Sequence, residues 1–160
     1  MVYTLSTERE EEHSMKKAIY FDMDGTIANL YGVNDWLTSL INEDATPYKV
    51  ARPLLSLSSL ARKLNKLQRN GYTIGIISWL SKNSSDSFAA AVAEAKLSWL
   101  SRHLPSVKWD EIHIVSYGTN KRSVATAETA ILFDDEENNR KIWGAGAHNE
   151  KNILDILKTL

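Results

Sequence analysis

The fold of this chain is decided by one stretch of sequence, Lys17-Ala18-Ile19-Tyr20-Phe21-Asp22-Met23-Asp24-Gly25-Thr26. Its first half is apolar and rich in residues that favour β-strands, and it ends in two aspartates separated by one residue. Alternation along a strand sends Asp22 and Asp24 to the same side, and Gly25 lets the backbone leave the sheet at once. The stretch therefore predicts a strand that delivers two carboxylates to the carboxyl edge of a sheet, where open α/β sheets bind their ligands.

Two carboxylates this close repel each other unless a cation neutralises them, which favours a bound divalent metal. Donor atoms that are all oxygen favour Mg²⁺. An EF-hand calcium loop counted from Asp22 requires a glutamate where Val33 stands, so the calcium interpretation fails at its most diagnostic position. A plain Asp-Gly turn is the alternative that this segment alone leaves open.

Composition limits the classes of function. The chain has 160 residues, of which 43% are hydrophobic, enough for one domain with a buried core. A formal net charge of -1 gives no basic footprint for nucleic acid or anionic membranes, and the absence of cysteine removes disulfides and thiolate chemistry. No apolar run approaches membrane-spanning length, and the polar, acidic segment before Lys17 lacks the apolar core of a secretory signal. We therefore expect a cytoplasmic protein that does not associate with membranes.

The pattern along the chain indicates a single α/β domain over residues 17–160, preceded by a flexible N-terminal extension over residues 1–16. Further strands are predicted at 72–77, 112–115 and 129–133, with a short strand or loop at 144–148, and helices are predicted over about 58–69, 84–103 and 153–160. This alternation predicts a mostly parallel sheet in a Rossmann-like three-layer α/β/α sandwich. Residues 30–53 predict a small helical insertion that partly roofs the acidic site.

Polar residues follow the predicted strands where each strand ends. Ser78 follows the second strand, Asp134 and Asp135 follow the fourth, and Lys121 lies in the polar turn between the third and fourth strands. Because parallel strands end at the same edge of a sheet, we expect these side chains to converge on Asp22. Carboxylates with magnesium, a hydroxyl and a lysine are the groups that phosphoryl transfer needs.

These residues resemble the haloacid dehalogenase (HAD) superfamily of phosphohydrolases, over essentially everything from Lys17 onward. The four motifs of that superfamily are matched by Asp22-Met23-Asp24-Gly25-Thr26, Ser78, Lys121 and Asp134-Asp135. The resemblance implies that Asp22 is the nucleophile that forms an aspartyl-phosphate. It implies that Asp24 first protonates the leaving oxygen and then activates water.

The same resemblance implies the ligands of the phosphate and the metal. The phosphate would be bound by Thr26, Ser78 and Lys121. Magnesium would be held by Asp22, by the backbone carbonyl of Asp24 and by Asp134 or Asp135. We favour Asp135 for direct contact, with Asp134 supporting it from behind.

Within the superfamily, the sequence is similar to the 5'(3')-deoxyribonucleotidase-like group. The features are the stretch from Lys96 through Trp99 and Leu100 to Pro105, the Asp134-Asp135 pair and Ala147-His148-Asn149. This resemblance implies a (deoxy)nucleoside monophosphate as substrate, whose base would stack on an aromatic side chain. The candidates for stacking are Tyr31, Trp36, Tyr48 and Trp79, and burial in the core is the alternative use of each.

Other functions remain open at this level. A small cap favours pairing with a second copy to exclude water, so a homodimer is one expectation. The site would also suit a phosphosugar phosphatase or a polynucleotide-end phosphatase of the same superfamily. A regulatory protein that binds metal and phosphate without turnover is the non-enzymatic alternative.

Overall fold

The computed structural model describes residues 3–6 and 16–160. Its strands are β1 (Tyr3–Ser6), β2 (Lys17–Phe21), β3 (Ala28–Asn29), β4 (Arg52–Pro53), β5 (Thr73–Trp79), β6 (Glu111–Val115), β7 (Thr129–Phe133) and β8 (Ala147–His148). Its α-helices are α1 (Trp36–Ile41), α2 (Thr46–Val50), α3 (Leu57–Arg69), α4 (Asp86–His103), α5 (Lys121–Val124), α6 (Glu137–Trp143) and α7 (Ile153–Lys158).

Six strands form one sheet in the order β1-β6-β5-β2-β7-β8. Strand β1 runs antiparallel to β6, and the other neighbours are parallel. Strand β2 lies between β5 and β7, because four of its five residues are apolar or aromatic and buried, as a strand covered on both faces requires. The prediction of a mostly parallel α/β sheet is confirmed, and the short strand at 147–148 is present.

Helices cover both faces of this sheet. Ile19 and Phe21 pack on one face with residues of α3, α4 and α7. Tyr20 packs on the other face with Trp143 of α6 and with Val124 of α5. This arrangement is the three-layer α/β/α sandwich that the alternating pattern predicts. In the part of the chain that is described, no helix is both long enough and apolar enough to cross a bilayer.

Residues 3–6 of the N-terminal extension add a strand to this sheet, whereas the insertion lies apart from it. Within the extension, Tyr3–Ser6 form an edge strand on β6, held by the backbone pairing of an antiparallel ladder, so these four residues differ from the flexible chain that the sequence predicts. Residues 1–2 and 7–15 lie outside the described residues, and their flexibility stays a prediction. The insertion contains α1 and α2, and the antiparallel pairing of β3 with β4 joins its two ends.

The insertion is fastened to the helix that follows β5. The indole Nε1 of Trp99, a fully buried residue of α4, donates a hydrogen bond of 2.8 Å to the backbone oxygen of Ala51. Tyr48 of α2 packs in the same apolar cluster as Val92 and Ala93 of α4. These contacts place the insertion beside the carboxyl edge of the sheet.

A buried polar cluster surrounds Glu111 on the face of the sheet where Tyr20 lies. The Tyr20 hydroxyl donates to the Glu111 carboxylate at 2.8 Å, Thr126 donates at 2.9 and 3.0 Å, and His113 Nε2 lies 2.9 Å away. Burial disfavours the charge of Glu111, but the hydrogen bonds from His113, Tyr20 and Thr126 outweigh it and lower the pKa of Glu111. Burial raises the pKa of Tyr20 to about 12.

Candidate active site

The chain turns sharply after β2 and thereby keeps two aspartates at the sheet edge. The backbone oxygen of Met23 accepts hydrogen bonds of 3.0 to 3.1 Å from the N–H groups of Thr26, Ile27 and Ala28. Gly25 adopts a φ of +81°, and a Cβ at this position would collide with the Asp135 carboxylate and the Tyr31 ring. Glycine is therefore required both by the turn and by the close approach of Asp135.

Three carboxylates meet at the carboxyl ends of β2 and β7. Asp22, Asp134 and Asp135 each offer an oxygen atom, and these atoms all lie within 4.8 Å of one another. Lys121, buried on α5, donates to Asp22 Oδ1 at 2.9 Å and to Asp134 Oδ2 at 2.8 Å. The Thr26 hydroxyl, also buried, lies 3.0 Å from Asp22 Oδ2 and 3.2 Å from Asp135 Oδ1, and these two acceptors share its one hydrogen.

The carboxylate of Asp24 belongs to a second group of contacts. Lys96 Nζ donates to Asp24 Oδ2 at 2.7 Å, to Ser78 Oγ at 2.6 Å and to the backbone oxygen of Trp79 at 2.7 Å. Ser78 and Lys96 are almost completely buried, and the Asp24 side chain keeps 17% of its surface exposed. All three N–H donors of the Lys96 ammonium therefore have acceptors within the protein.

The environments of Asp22 and Asp24 move their pKa values in opposite directions. Burial disfavours both charges, but the charge and hydrogen bond of Lys121 outweigh it at Asp22 and lower the pKa of that carboxyl. At Asp24, burial together with the charge of Asp22 outweighs Lys96 and raises the pKa. Two carboxyl groups with pKa values driven apart are typical of a site that needs one ionised group and one proton donor.

The acidic cluster fits a divalent cation by its donor chemistry and its charge. Asp22, Asp134 and Asp135 offer three oxygen donors, and the Lys121 ammonium pairs with two of them, Asp22 and Asp134. Burial and the neighbouring charge of Asp22 raise the pKa of Asp135 to about 8, and burial with the same charge raises that of Asp134 to about 6. A hard cation bound by these oxygens would remove the repulsion that opposes their ionisation.

The contacts of Asp134 and Asp135 distinguish the two residues. Asp134 is fully buried, its Oδ2 accepts from Lys121 and from Asn139 Nδ2 at 3.1 Å, and its Oδ1 accepts from the backbone N–H of Glu136 at 2.9 Å. Asp135 is only partly buried, its Oδ1 lies 3.2 Å from the Thr26 hydroxyl, and its carboxyl group lies within hydrogen-bonding reach of that of Asp22. Asp135 thus has more of its coordinating capacity free for a ligand.

The structure brings every residue of the four predicted motifs to one edge of the sheet. Thr26 lies beneath the carboxylates with its hydroxyl donated to them, and its hydroxyl oxygen accepts the N–H of Asp135 at 3.1 Å, which supports an orienting role. Lys121 lies on the short helix α5, where a polar turn was expected, because Asn120 caps this helix through its side chain.

Lys96 is a site residue whose importance the sequence analysis did not identify. In the sequence, Lys96 stands only as one feature of the resemblance to the deoxyribonucleotidase-like group. On α4 it shares the buried stripe with Val92 and Leu100, four residues away on either side. A lysine at a position where the helical period calls for an apolar residue was the available signal, because such a charge needs a buried partner.

A cavity of about 410 Å³ opens over the acidic cluster. The motif residues Asp22, Asp24, Lys121, Asp134 and Asp135 line its polar end. Its other walls are largely apolar and come from the insertion and from the loops after β5 and β6, including Leu30, Tyr31, Trp36, Leu37, Leu40, Ile41, Tyr48, Trp79, Leu80 and Tyr117.

Two aromatic pairs line this cavity. Tyr31 and Trp36 pack edge to face with ring centroids 4.9 Å apart, and Trp79 and Tyr117 pack at 5.0 Å. Tyr31 and Tyr117 are each about half exposed. Tyr48 also lines the cavity, but it is buried and its ring centroid lies 5.1 Å from Lys96 Nζ.

Together, a mostly parallel α/β sheet and an acidic cluster at its carboxyl edge define a Rossmann-type fold with a candidate metal site. No protein-family model and no curated protein matches the sequence. Among solved structures, the chain is similar to a protein described as a HAD-like phosphatase from Mesorhizobium loti, with 15% identity, a TM-score of 0.55, and coverage of 91% of this chain and 76% of that one. It is also similar to D,D-heptose 1,7-bisphosphate phosphatase from Burkholderia thailandensis, with 14% identity, a TM-score of 0.52, and coverage of 90% and 97%. The chain therefore has the fold of HAD-like phosphatases.

Proposed function

We propose that this protein is a magnesium-dependent phosphomonoesterase that works through an aspartyl-phosphate on Asp22. The observation that carries the proposal is the opposite environment of two aspartates that lie two residues apart. Lys121 and Thr26 hold the Asp22 carboxylate and favour its ionised form, as a nucleophile requires. Asp24 lies in a buried environment that raises its pKa and favours the protonated form, as a general acid requires.

The reaction follows from these two states. An oxygen of Asp22 attacks the phosphorus of the substrate, the bond from phosphorus to the leaving oxygen breaks, and Asp24 gives its proton to that oxygen. Asp24, now ionised, takes a proton from water as the water oxygen attacks the phosphorus of the aspartyl-phosphate. The bond to Asp22 breaks, and inorganic phosphate leaves with both aspartates restored.

Magnesium would be held by Asp22, by Asp135 and by the backbone carbonyl of Asp24, because the carboxylate of Asp24 is already paired with Lys96. When bound, it supplies positive charge to the non-bridging oxygens of the phosphoryl group. Asp134 would stabilise this site without contacting the metal, because its oxygens already accept hydrogen bonds from Lys121, Asn139 and the backbone of Glu136.

The phosphoryl oxygens also need donors from the protein. Lys121 lines the cavity beside Asp22, and Ser78 and Lys96 lie on the side of Asp24. We propose that Lys121 and Ser78 bind the phosphoryl group, and that Lys96 contributes the second cation of the site. We propose that Thr26 holds Asp22 and Asp135 in place rather than binding the phosphate, because its buried hydroxyl already contacts both carboxylates.

The walls of the cavity support a leaving group with a planar, largely apolar part. The pair Tyr31–Trp36 and the pair Trp79–Tyr117 offer aromatic faces and edges of the kind that stack on a nucleobase. We therefore propose a (deoxy)nucleoside monophosphate as the substrate. A phosphosugar is the second candidate, because one structure with this fold is a heptose bisphosphate phosphatase and the cavity is also lined by the cation Lys82 and the amide Asn83.

A homodimer and a cytoplasmic location stay part of the proposal. Leu37 and Ile41 of α1 line the mouth of the cavity with 53% and 72% of their surface exposed, which supports a second copy covering it. Sedimentation of the purified protein tests the dimer: a single monomeric species at micromolar concentration would contradict it.

The experiment that tests the function is phosphate release from a substrate panel. The panel contains deoxy- and ribonucleoside monophosphates, sugar phosphates including a heptose bisphosphate, and a 3'-phosphorylated oligonucleotide, each with magnesium and with chelator. We expect selective, magnesium-dependent release from nucleoside monophosphates that is lost in Asp22→Asn. Preference for a sugar phosphate would replace the substrate and keep the mechanism. Absence of release from every substrate would support a regulatory protein instead.

A further inference from the structure

We propose that Tyr48 is a positioning residue that acts through Lys96 on Asp24 and Ser78. This inference rests on the proposed phosphatase function, and it assigns to Tyr48 a role other than stacking on the substrate. Three contacts carry it: the ring of Tyr48 on Lys96, the hydroxyl of Tyr48 on Ser81, and the hydrogen bonds of Lys96 itself.

The ring of Tyr48 covers the Lys96 ammonium. Its centroid lies 5.1 Å from Nζ, within the distance at which a cation is attracted by an aromatic face. The three donors of Nζ are taken by Asp24, Ser78 and the backbone of Trp79. All three N–H groups of the ammonium are used by these acceptors, and the ring covers the side that remains. The ring thereby keeps water from competing for the three acceptors.

The hydroxyl of Tyr48 fixes the ring from its other end. It lies 2.8 Å from Ser81 Oγ, in the loop three residues after Ser78. Tyr48 therefore connects helix α2 of the insertion with the strand end that carries Ser78. With 5% of its surface exposed, its ring has little area left for a substrate, whereas Tyr31 keeps 46%.

The consequence concerns the chemistry rather than the binding of the leaving group. Without the ring, water reaches the ammonium and Lys96 can leave the position in which it holds Asp24 and Ser78 together. The general acid and the phosphate-binding hydroxyl would then lose a fixed geometry, and a misplacement of this kind lowers the rate of the reaction. The walls that contact the leaving group stay unchanged.

The test compares Tyr48→Leu, Tyr48→Phe and a series in which position 48 carries phenylalanine with one, two or three ring fluorines. Fluorination keeps the shape of the ring and weakens its attraction for a cation. Tyr72→Leu is the matched control, because Tyr72 is a partly buried tyrosine just before β5, at the other end of that strand. Each protein is assayed on a nucleoside monophosphate and on a sugar monophosphate, and its affinity for inorganic phosphate in the presence of Mg²⁺ is measured by calorimetry.

We expect Tyr48→Leu to lower kcat about tenfold on both substrates, as the loss of a desolvated cation–π contact implies, and any increase in KM to be equal for the two substrates, because they share the phosphoryl group. Tyr48→Phe should lose less, kcat should fall stepwise along the fluorinated series, and Tyr72→Leu should keep the wild-type kcat. A KM increase confined to the nucleotide would overturn the inference and make Tyr48 a stacking residue. A kcat that ignores fluorination would also overturn it.

The calorimetric arm separates this inference from the proposed function. If the wild type hydrolyses none of the substrates, the phosphatase proposal fails, and the inference about Tyr48 is decided by phosphate binding alone. Tyr48→Leu should then weaken the binding of inorganic phosphate several-fold, and equal binding by wild type and variant would overturn the inference. A wild type that neither hydrolyses nor binds phosphate would overturn both.

Discussion

Replacing Lys96 by methionine is the perturbation whose effects the structure predicts in most detail. Methionine keeps the length and the apolar stem of the side chain on the buried stripe of α4 and removes the ammonium. Three charge-assisted hydrogen bonds of 2.6 to 2.7 Å disappear, to Asp24, Ser78 and the backbone oxygen of Trp79. Asp24 loses its only salt-bridge partner among the described residues.

The cost in stability can be bounded from the burial of the two partners. Removing one partner of a fully buried ion pair costs about 3 to 5 kcal/mol. The Asp24 side chain is 17% exposed and its pKa is already raised, so water or a proton can compensate part of the loss. We expect a decrease of about 2 to 3 kcal/mol in the free energy of unfolding, which for a domain of this size lowers Tm by about 4 to 12 °C. The variant should stay folded at room temperature.

The effect on activity should depend on the leaving group. An alkyl leaving group, as in a nucleoside monophosphate, needs the proton of Asp24, and general acid catalysis contributes about 10² to 10⁴ in rate. p-Nitrophenolate leaves without that proton. Lys96→Met leaves the pKa of Asp24 raised but removes the contact that holds this carboxyl in position. We therefore expect it to lower kcat/KM on the nucleotide by about 10² or more, and to lower it on p-nitrophenyl phosphate clearly less.

The assay measures phosphate release from both substrates, with thermal unfolding of the same samples. Lys66→Met is the matched control, because Lys66 is exposed on α3 and makes no ion pair within the described part of the chain. It should keep wild-type activity and stability. Equal losses on the two substrates would refute the link between Lys96 and the general acid, and wild-type activity of Lys96→Met would refute the role of Lys96 altogether.

Three further predictions concern stability, metal binding and the turn. The pKa of Glu111 is lowered, so its charge stabilises the fold above its ordinary pKa of 4.5, and this contribution is lost as the pH falls through the folded-state value. Glu111→Gln should therefore lower the free energy of unfolding in urea by about 2 to 3 kcal/mol at pH 7 and by less near pH 3. An equal cost at both pH values would contradict this prediction. Asp135→Asn should weaken Mg²⁺ binding in calorimetric titration at least tenfold, whereas Glu137→Gln, a change at an exposed residue of α6, should leave it unchanged; equal affinities in the two variants would remove Asp135 from the metal site. Gly71 has a φ of +97° and open space around it, so Gly71→Ala should lower the free energy of unfolding by about 1 kcal/mol and keep full activity. Gly25→Ala should abolish activity as well, because its methyl group displaces Asp135. An active Gly25→Ala would show that the close approach of Asp135 is not needed.

The sheet and the convergence of the motifs could be predicted because each depends on a local pattern. An apolar run that ends in Asp22-Met23-Asp24-Gly25 is readable as a strand and its turn, and parallel strands must end at one edge. The edge strand Tyr3–Ser6 was beyond this reasoning, because pairing with β6 joins residues more than a hundred positions apart. Nothing in a four-residue segment signals its partner.

The different contacts of Lys121 and Lys96 also could not be predicted from local sequence patterns. Lys121 follows a polar turn and was identified from motif order, but its contacts with both Asp22 and Asp134 depend on how α5 packs at the sheet edge. Lys96 lies 72 residues from Asp24 along the chain, and the contact forms only because α4 packs beside the end of β2. The apolar stripe around Lys96 showed that the charge needed a partner, but not which partner.

The central claim, that Asp22 is the nucleophile, is tested most directly by trapping the intermediate. The protein is mixed with nucleoside monophosphate and Mg²⁺, quenched in acid within milliseconds and reduced with borohydride, which converts an aspartyl-phosphate to homoserine. Peptide mass spectrometry then locates the converted residue. We predict homoserine at position 22, and its absence when the substrate is omitted. Conversion at Asp24, or no conversion in an enzyme that releases phosphate, would contradict the account.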